Sequence, residues 1–224
     1  LKKTFQPVLP PDFSREDALY DSGRTCIVGV DEAGRGPLAG PVVAGAALLP
    51  AEFAAEFQGR LNDSKKLTHE IRVELSQIIK AQAYWGLGVV THLEIDEMNI
   101  RRASWEAMRR AVVDLAARFP EYTPDYILVD GMAVKEVEWP WQYSAIVKGD
   151  ALCSSIAAAS ILAKVARDEF MTEMEEQFPG YGFAKHKGYP TPAHYAALKE
   201  MGACEIHRKT FGPVRAVLER DGDH

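Results

Sequence analysis

Two β-rich apolar runs without helical period, Thr25–Val30 and Pro41–Leu49, are joined only by the segment DEAGRGPLAG. The short, glycine-containing link suggests that they fold back on each other as a hairpin. Three more runs read as strands: Tyr84–Thr91, Tyr126–Val129 and Tyr143–Val147. Helical patterns lie between and after them. Ala51–Gln58 is a short helix candidate. Thr68 can N-cap a helix reaching about Gln82, with Glu70 well placed for its dipole. From about Asn99 to Phe119, Ile100, Trp105, Met108, Val112 and Leu115 recur at helical spacing and read as a core stripe. A long helix follows Cys153, with an Ala/Ser-rich first half that suits close packing. Further helix is expected at about Thr191–Met201 and after Pro213. Strands come first and helices later, and no Ser/Gly linker or charge run divides them. The expectation is one α/β domain over residues 25–224, with a mixed sheet and a helical C-terminal portion from about 190. Residues 1–24, rich in Pro and charge, read as an irregular lead-in.

Composition narrows the classes. The longest apolar stretch, around Val42–Leu49, ends at Pro50 and falls far short of the roughly 20 residues that span a bilayer. The N-terminal residues lack the apolar core of a secretory signal. Cys26, Cys153 and Cys204 are odd in number and never form a C-x-x-C pair, so buried reduced thiols are expected rather than disulfides or zinc. A cytoplasmic protein fits these features. The net charge of −6 argues against a uniformly basic surface, yet Lys65-Lys66, Lys185-His186-Lys187 and Arg208-Lys209 are local basic clusters.

Three of the five strand-like runs end in acid: Asp31 with Glu32, then Asp130, then Asp150. Sites in α/β sheets form at strand ends, where loops gather groups from distant parts of the chain. Clustered carboxylates repel unless a cation sits among them, and hard divalent ions prefer such oxygen ligands. An Asp after a strand also serves as an ordinary turn residue. Spacing alone leaves both readings open. Asp31 and Glu32 add a difficulty, because neighbouring side chains on a strand face opposite ways. They share one site only if the chain bends, or if Glu32 offers its carbonyl.

VGVDEAGRGPLAGPVVAGAALL, NDSKKL, VDG, VKGD, SIAAASILAKVARD, KHKGYPTPAH and IHRKTFGPV occur in this order over about residues 26–215. This ordered series resembles the ribonuclease HII (type 2 ribonuclease H) family. The resemblance implies a ribonuclease H-like fold, a five-stranded mixed sheet flanked by helices. It implies an endoribonuclease that needs Mg²⁺ or Mn²⁺ in a two-metal mechanism. The substrates would be RNA–DNA hybrids and duplex DNA containing ribonucleotides, cut 5′ of the ribonucleotide to leave 3′-hydroxyl and 5′-phosphate ends. The roles would be ribonucleotide excision and primer removal.

By the same resemblance, Asp31, Glu32, Asp130 and Asp150 are the catalytic metal ligands, and Gly34, Arg35 and Gly36 sense the ribose 2′-hydroxyl and adjoining phosphate. Tyr189 packs on the deoxyribose 3′ of the ribonucleotide. Ser64, Lys65, Lys148 and Lys187 contact phosphates. Asp168 and the histidines at 69, 92, 194 and 207 read as structural, with His186 less clear. Leu152 stands where the family often has lysine, and Glu205 where it has proline. Gly-Arg-Gly, rather than Gly-Lys-Gly, favours type HII over type HIII. A monomer is expected, with no clear clamp-binding peptide.

Overall fold

A computed structural model describes residues 10–50, 53, 59–62, 64–133 and 138–222. β1 (Ile27–Ala33) and β2 (Val42–Leu48) form the expected hairpin, in register Asp31↔Gly45 and Glu32↔Ala44. β3 (Tyr84–Val90) pairs antiparallel with β2. β4 (Tyr126–Asp130) lies parallel to β1, and β5 (Gln142–Ile146) parallel to β4. The result is a five-stranded mixed sheet, β3-β2-β1-β4-β5. Its centre is β1, the strand that carries the paired acids.

The helices cover both faces. α1 (Ser14–Asp21) precedes the sheet; α2 (His69–Gln82), α3 (His92–Met98) and α4 (Ile100–Arg118) lie between its strands in sequence. A 3₁₀ turn (Gly149–Ala151) leads into α5 (Ser154–Gln177), followed by α6 (Phe183–His186), α7 (Pro192–Met201) and α8 (Gly212–Gly222). The stripe expected on α4 is the core: Trp105, Met108, Val112 and Leu115 pack on Val28, Val30, Ala44 and Ala46 from one face of the hairpin. Each such large apolar side chain contributes about 1.5–3 kcal/mol by burial.

The other face meets α5. There Ile27 and Leu128 pack with Ile156, while Ala47 joins Ala158, Ile161 and Leu162. The Ala/Ser run of α5 permits an approach so close that a Cβ on Gly45 would lie 2.3 Å from the Ala159 carbonyl oxygen. Any side chain at Gly45 would push the helix off the sheet.

Two segments depart from the sequence reading. The lead-in is not irregular throughout, because Ser14–Asp21 is helical. The cause is tertiary: Glu16 is buried and its Oε1 accepts from Ser155 N–H (2.9 Å) and Oγ (2.6 Å). It thereby caps α5, whose own N-cap residue Cys153 supplies no side-chain bond. Residues 92–98 form α3, and Thr91 caps it rather than ending a strand. Thr91 and Glu94 make a capping box, a signal present in the sequence as T-x-x-E. Asn99 then turns the chain with φ 70°, its Oδ1 accepting from Arg101 and Arg102 N–H. The helix expected at Ala51–Gln58 lies outside the described residues except for buried Phe53. Cys26, Cys153 and Cys204 are free thiols, the first two buried. Among the described residues, no helix is long and apolar enough to cross a membrane.

Candidate active site

β1 does not bend at the acids; it continues paired through Ala33. Asp31 therefore projects to the α5 side and Glu32 to the α4 side. Both are nevertheless at the sheet's end, and Glu32 borders two hollows. One, of about 590 Å³, is lined by Asp31, Glu32 and Asp130 together with the Gly34–Gly36 loop, Ser64, Lys65, Lys164 and Tyr189. The other, of about 410 Å³ on the α4 side, is lined by Glu32 and Asp130 with Arg35, Arg101, Ser104 and Trp105. Glu32 thus borders the cleft that Asp31 lines although β1 stays paired through both acids.

The acids strain against one another. Burial, with Glu32 and Asp130 as negative neighbours, pushes the Asp31 carboxyl well above the usual range. Burial likewise raises Glu32 to about 7, against the pull of Arg35, whose Nη1 lies 3.3 Å from Glu32 Oε1. Asp130 is raised by burial, although Gly149 N–H donates to its Oδ1 at 2.6 Å. Asp150 is buried in the 3₁₀ turn, with its N–H directed to Asp130 at 3.4 Å. Backbone amides thus tie the β4 acid to the turn that carries Asp150.

All four donors are carboxylates, the type that hard divalent cations take. Burial is the largest cause at all three, and neighbouring carboxylates raise Asp31 and Glu32 further, a field that a cation would relieve. The donor set therefore suits such an ion in type and charge. Among the described residues, however, no group of three or more His, Cys, Asp or Glu side chains is gathered closely enough to hold a metal. The acids share a field rather than a ready-made ligand cage.

The glycine–arginine loop turns sharply at Gly34, φ 101°, in the region that favours glycine. A Cβ there would lie 2.1 Å from Arg167 Nε. Arg167, from α5, is fully buried and donates to the carbonyls of Pro41 (2.9 Å), Lys187 (3.0 Å) and Ala39 (3.1 Å). It thereby links the chain after the loop to the Lys187–Tyr189 segment. Tyr189 sits across the cleft beside Gly36, 3.7 Å from where a Cβ would be. Its ring lies 5.7 Å from Lys164 Nζ and 5.9 Å from Arg167 Cζ.

The remaining expected residues divide. Lys65 lines the acid cleft and lowers Asp130 electrostatically. Ser64 also lines it, but is buried with its Oγ 3.0 Å from Ser160 Oγ, and the Ser160 hydroxyl favours the ionised form of Asp31. Lys187 lies in a neighbouring hollow of about 450 Å³ that shares Arg72, Lys164 and Tyr189 and adds Lys185 and His186. The structure does not bring Lys148 into the cleft lining; it is exposed, with φ 60°, beside the Asp130–Gly149 contact. Asp168 accepts from Lys164 Nζ at 2.7 Å.

The family model described as Ribonuclease HII matches residues 28–214. The chain belongs to the ribonuclease HII family. Curated ribonuclease HII proteins are similar along nearly its whole length. That of Paracoccus denitrificans is 48% identical over 93% of this chain and 95% of its own. That of Myxococcus xanthus is 51% identical over 91% of this chain and 67% of its own. The crystal structure of the ribonuclease H2 from Pyrococcus horikoshii matches with a TM-score of 0.71 and 29% identity, covering 89% of this chain and all of that one. A Bst-RNase HIII structure in complex with Mn²⁺, 18% identical, shares the fold at a TM-score of 0.68, over 100% of this chain and 77% of its own. The protein is thus a ribonuclease H enzyme, a hydrolase with the ribonuclease H-like fold, from a family that acts on RNA–DNA substrates with divalent metal.

Sequence reasoning missed several groups in this ribonuclease HII site. Ser160 and Lys164 hide in the Ala/Ser helix, where only their placement on one α5 face would single them out. Arg72, on α2, donates to the carbonyls of Ser64 (2.8 Å) and Leu67 (2.7 Å) and so fixes the SKKL turn. Buried Arg167 and Arg208 look, in sequence, like ordinary surface charges. His194 and His207, read as structural, are indeed fully buried, their Nε2 atoms 3.0 Å apart.

Proposed function

We propose that this ribonuclease HII cleaves on the 5′ side of ribonucleotides embedded in duplex DNA, and within RNA–DNA hybrids, leaving 3′-hydroxyl and 5′-phosphate ends. The observation that carries this reading is one cleft lined by Asp31, Glu32 and Asp130 on one side, the Gly34–Gly36 loop beside them and Tyr189 opposite. Asp31, Glu32, Asp130 and Asp150 would hold Mg²⁺ or Mn²⁺. Bound there, the ions would supply an activated water and neutralise charge on the leaving oxygen.

The chain's own groups do the rest. The loop can approach the ribose closely because Gly36 carries no side chain on the cleft side, and the 2′-hydroxyl is what separates RNA from DNA. Tyr189 is half-exposed and its ring borders that loop, so a sugar lying over the two touches both. Lys65, Lys164 and the Lys185–Lys187 hollow provide a basic track for phosphates despite the acidic net charge. Ribonucleotide excision from DNA and removal of primer RNA are the matching roles.

The test is cleavage, with Mg²⁺ or Mn²⁺, of a duplex bearing one ribonucleotide, with end mapping of the products. Asp31→Asn should abolish cleavage with the circular dichroism spectrum unchanged. Retained metal-independent activity in that variant, or incision 3′ of the ribonucleotide by the wild type, would refute the reading.

A further inference from the structure

The segment IHRKTF contributes no residue to the lining of the acid cleft. Its backbone bridges the chain just after the glycine–arginine loop. Gly40 N–H donates to the Ile206 carbonyl (2.9 Å), Arg208 N–H to the Leu38 carbonyl (2.8 Å), and Ala39 and His207 form an isolated antiparallel bridge. This register sends the Arg208 side chain beneath the loop, where it is fully buried.

Arg208 has no ion pair among the described residues. Instead Nη2 donates to the Gly34 carbonyl (2.7 Å) and the Pro41 carbonyl (3.1 Å), Nη1 to the Arg35 carbonyl (3.1 Å), and Nε to the Gly40 carbonyl (2.9 Å). A buried, unpaired guanidinium is a costly filler, and an apolar side chain would occupy the space at lower cost. What an apolar side chain lacks is a rigid fork of donors.

The consequence lies in the peptide planes. Peptide groups are planar and trans, so the N–H of each plane points opposite to its carbonyl. Drawing the Gly34 carbonyl inward turns the Arg35 N–H outward; drawing in the Arg35 carbonyl does the same for Gly36 N–H. Neither N–H has a backbone partner among the described residues, and all three loop residues line the acid cleft.

We propose that Arg208 is a positioning residue for the Gly34–Gly36 loop. It holds two carbonyls inward so that two amides face the ribose and phosphate of the substrate. This rests on the ribose-sensing role proposed above, and its test separates the two ideas.

Arg208→Lys keeps the charge but loses the fork. Two measurements are made on the full chain. The first is ¹⁵N NMR of the free protein. The Arg35 and Gly36 amide resonances should move and their order parameters fall. The second is binding, with Ca²⁺ in place of Mg²⁺, to duplexes that differ by a single ribonucleotide. The preference for the ribonucleotide duplex should drop about tenfold, the weight of one well-placed hydrogen bond, while affinity for all-DNA duplex, which offers the phosphate alone, falls by less.

Unaltered loop amides, or equal losses on both duplexes, would overturn the proposal, the latter marking Arg208 as a purely structural pillar. Moved amides in a protein whose wild type shows no ribonucleotide preference would uphold the positioning and refute the ribose-sensing role. Arg208→Gln, which keeps an amide donor too short to span both carbonyls, supplies the same readouts if lysine is not accommodated.

Discussion

Replacing Glu32 with Gln should stabilise the metal-free protein while destroying its activity. The side chain is 7% exposed, and burial raises its carboxyl from 4.5 to about 7. At about 1.4 kcal/mol for each tenfold change in proton affinity, holding Glu32 ionised above pH 7 costs the fold about 3 kcal/mol. The sign follows from linkage. A raised carboxylate favours the fold below pH 4.5, and that advantage disappears as pH climbs through about 7. Gln carries no charge, keeps an oxygen for Arg35 and fits the same space. For a chain of this length, about 3 kcal/mol corresponds to a rise in Tm of roughly 6–12 °C. The assay is thermal denaturation in EDTA at pH 4, 6 and 8. The variant should match the wild type at pH 4 and exceed it increasingly to pH 8. Mg²⁺ should then raise the wild-type Tm far more than the variant's, and cleavage by the variant should be lost. A Tm gain equal at all three pH values, or a loss at pH 8, would refute the idea that the cluster stores unfavourable charge awaiting a cation.

Further outcomes follow from the same geometry. Tyr189→Ala should lower kcat/KM on a single-ribonucleotide duplex by about 10- to 100-fold, the cost of losing one stacking contact, with a Tm change of only a few degrees; equal effects on activity and stability would rule out contact with the sugar. Gly34→Ala places a Cβ 2.1 Å from Arg167 Nε at φ 101° and should cost about 1–3 kcal/mol in chemical denaturation as well as activity; a neutral variant would show that the loop is free to relax. Burial holds His207 down to about 4, so the wild type should lose stability as pH falls from 6.5 toward 4, while His207→Gln should flatten that slope; an unchanged slope would place the titration elsewhere.

Much of the architecture was legible because it is local. Continuous apolar runs placed β1 and β2, which are buried on both faces, and helical spacing placed α4, which buries one. The series of motifs in order located the acids, the glycine–arginine loop and Tyr189. Short helices escaped because their stability comes from elsewhere: α1 depends on a buried carboxylate that caps a helix more than a hundred residues away in the chain.

Residue type and order are enough to say which chemistry is available: acids at the ends of strands, a loop of glycines around an arginine, and basic clusters on an acidic chain. How these groups meet is a matter of three-dimensional packing. The fold carries β1 straight through Asp31 and Glu32, so that the two acids face opposite sides of the sheet at the end of its central strand and still border one cleft. It leaves Lys148 out of that cleft, and it turns Arg167 and Arg208 from apparent surface charges into buried forks under the loop. A side chain's direction and partners are set by packing between distant segments, and residue order along one chain does not encode that locally.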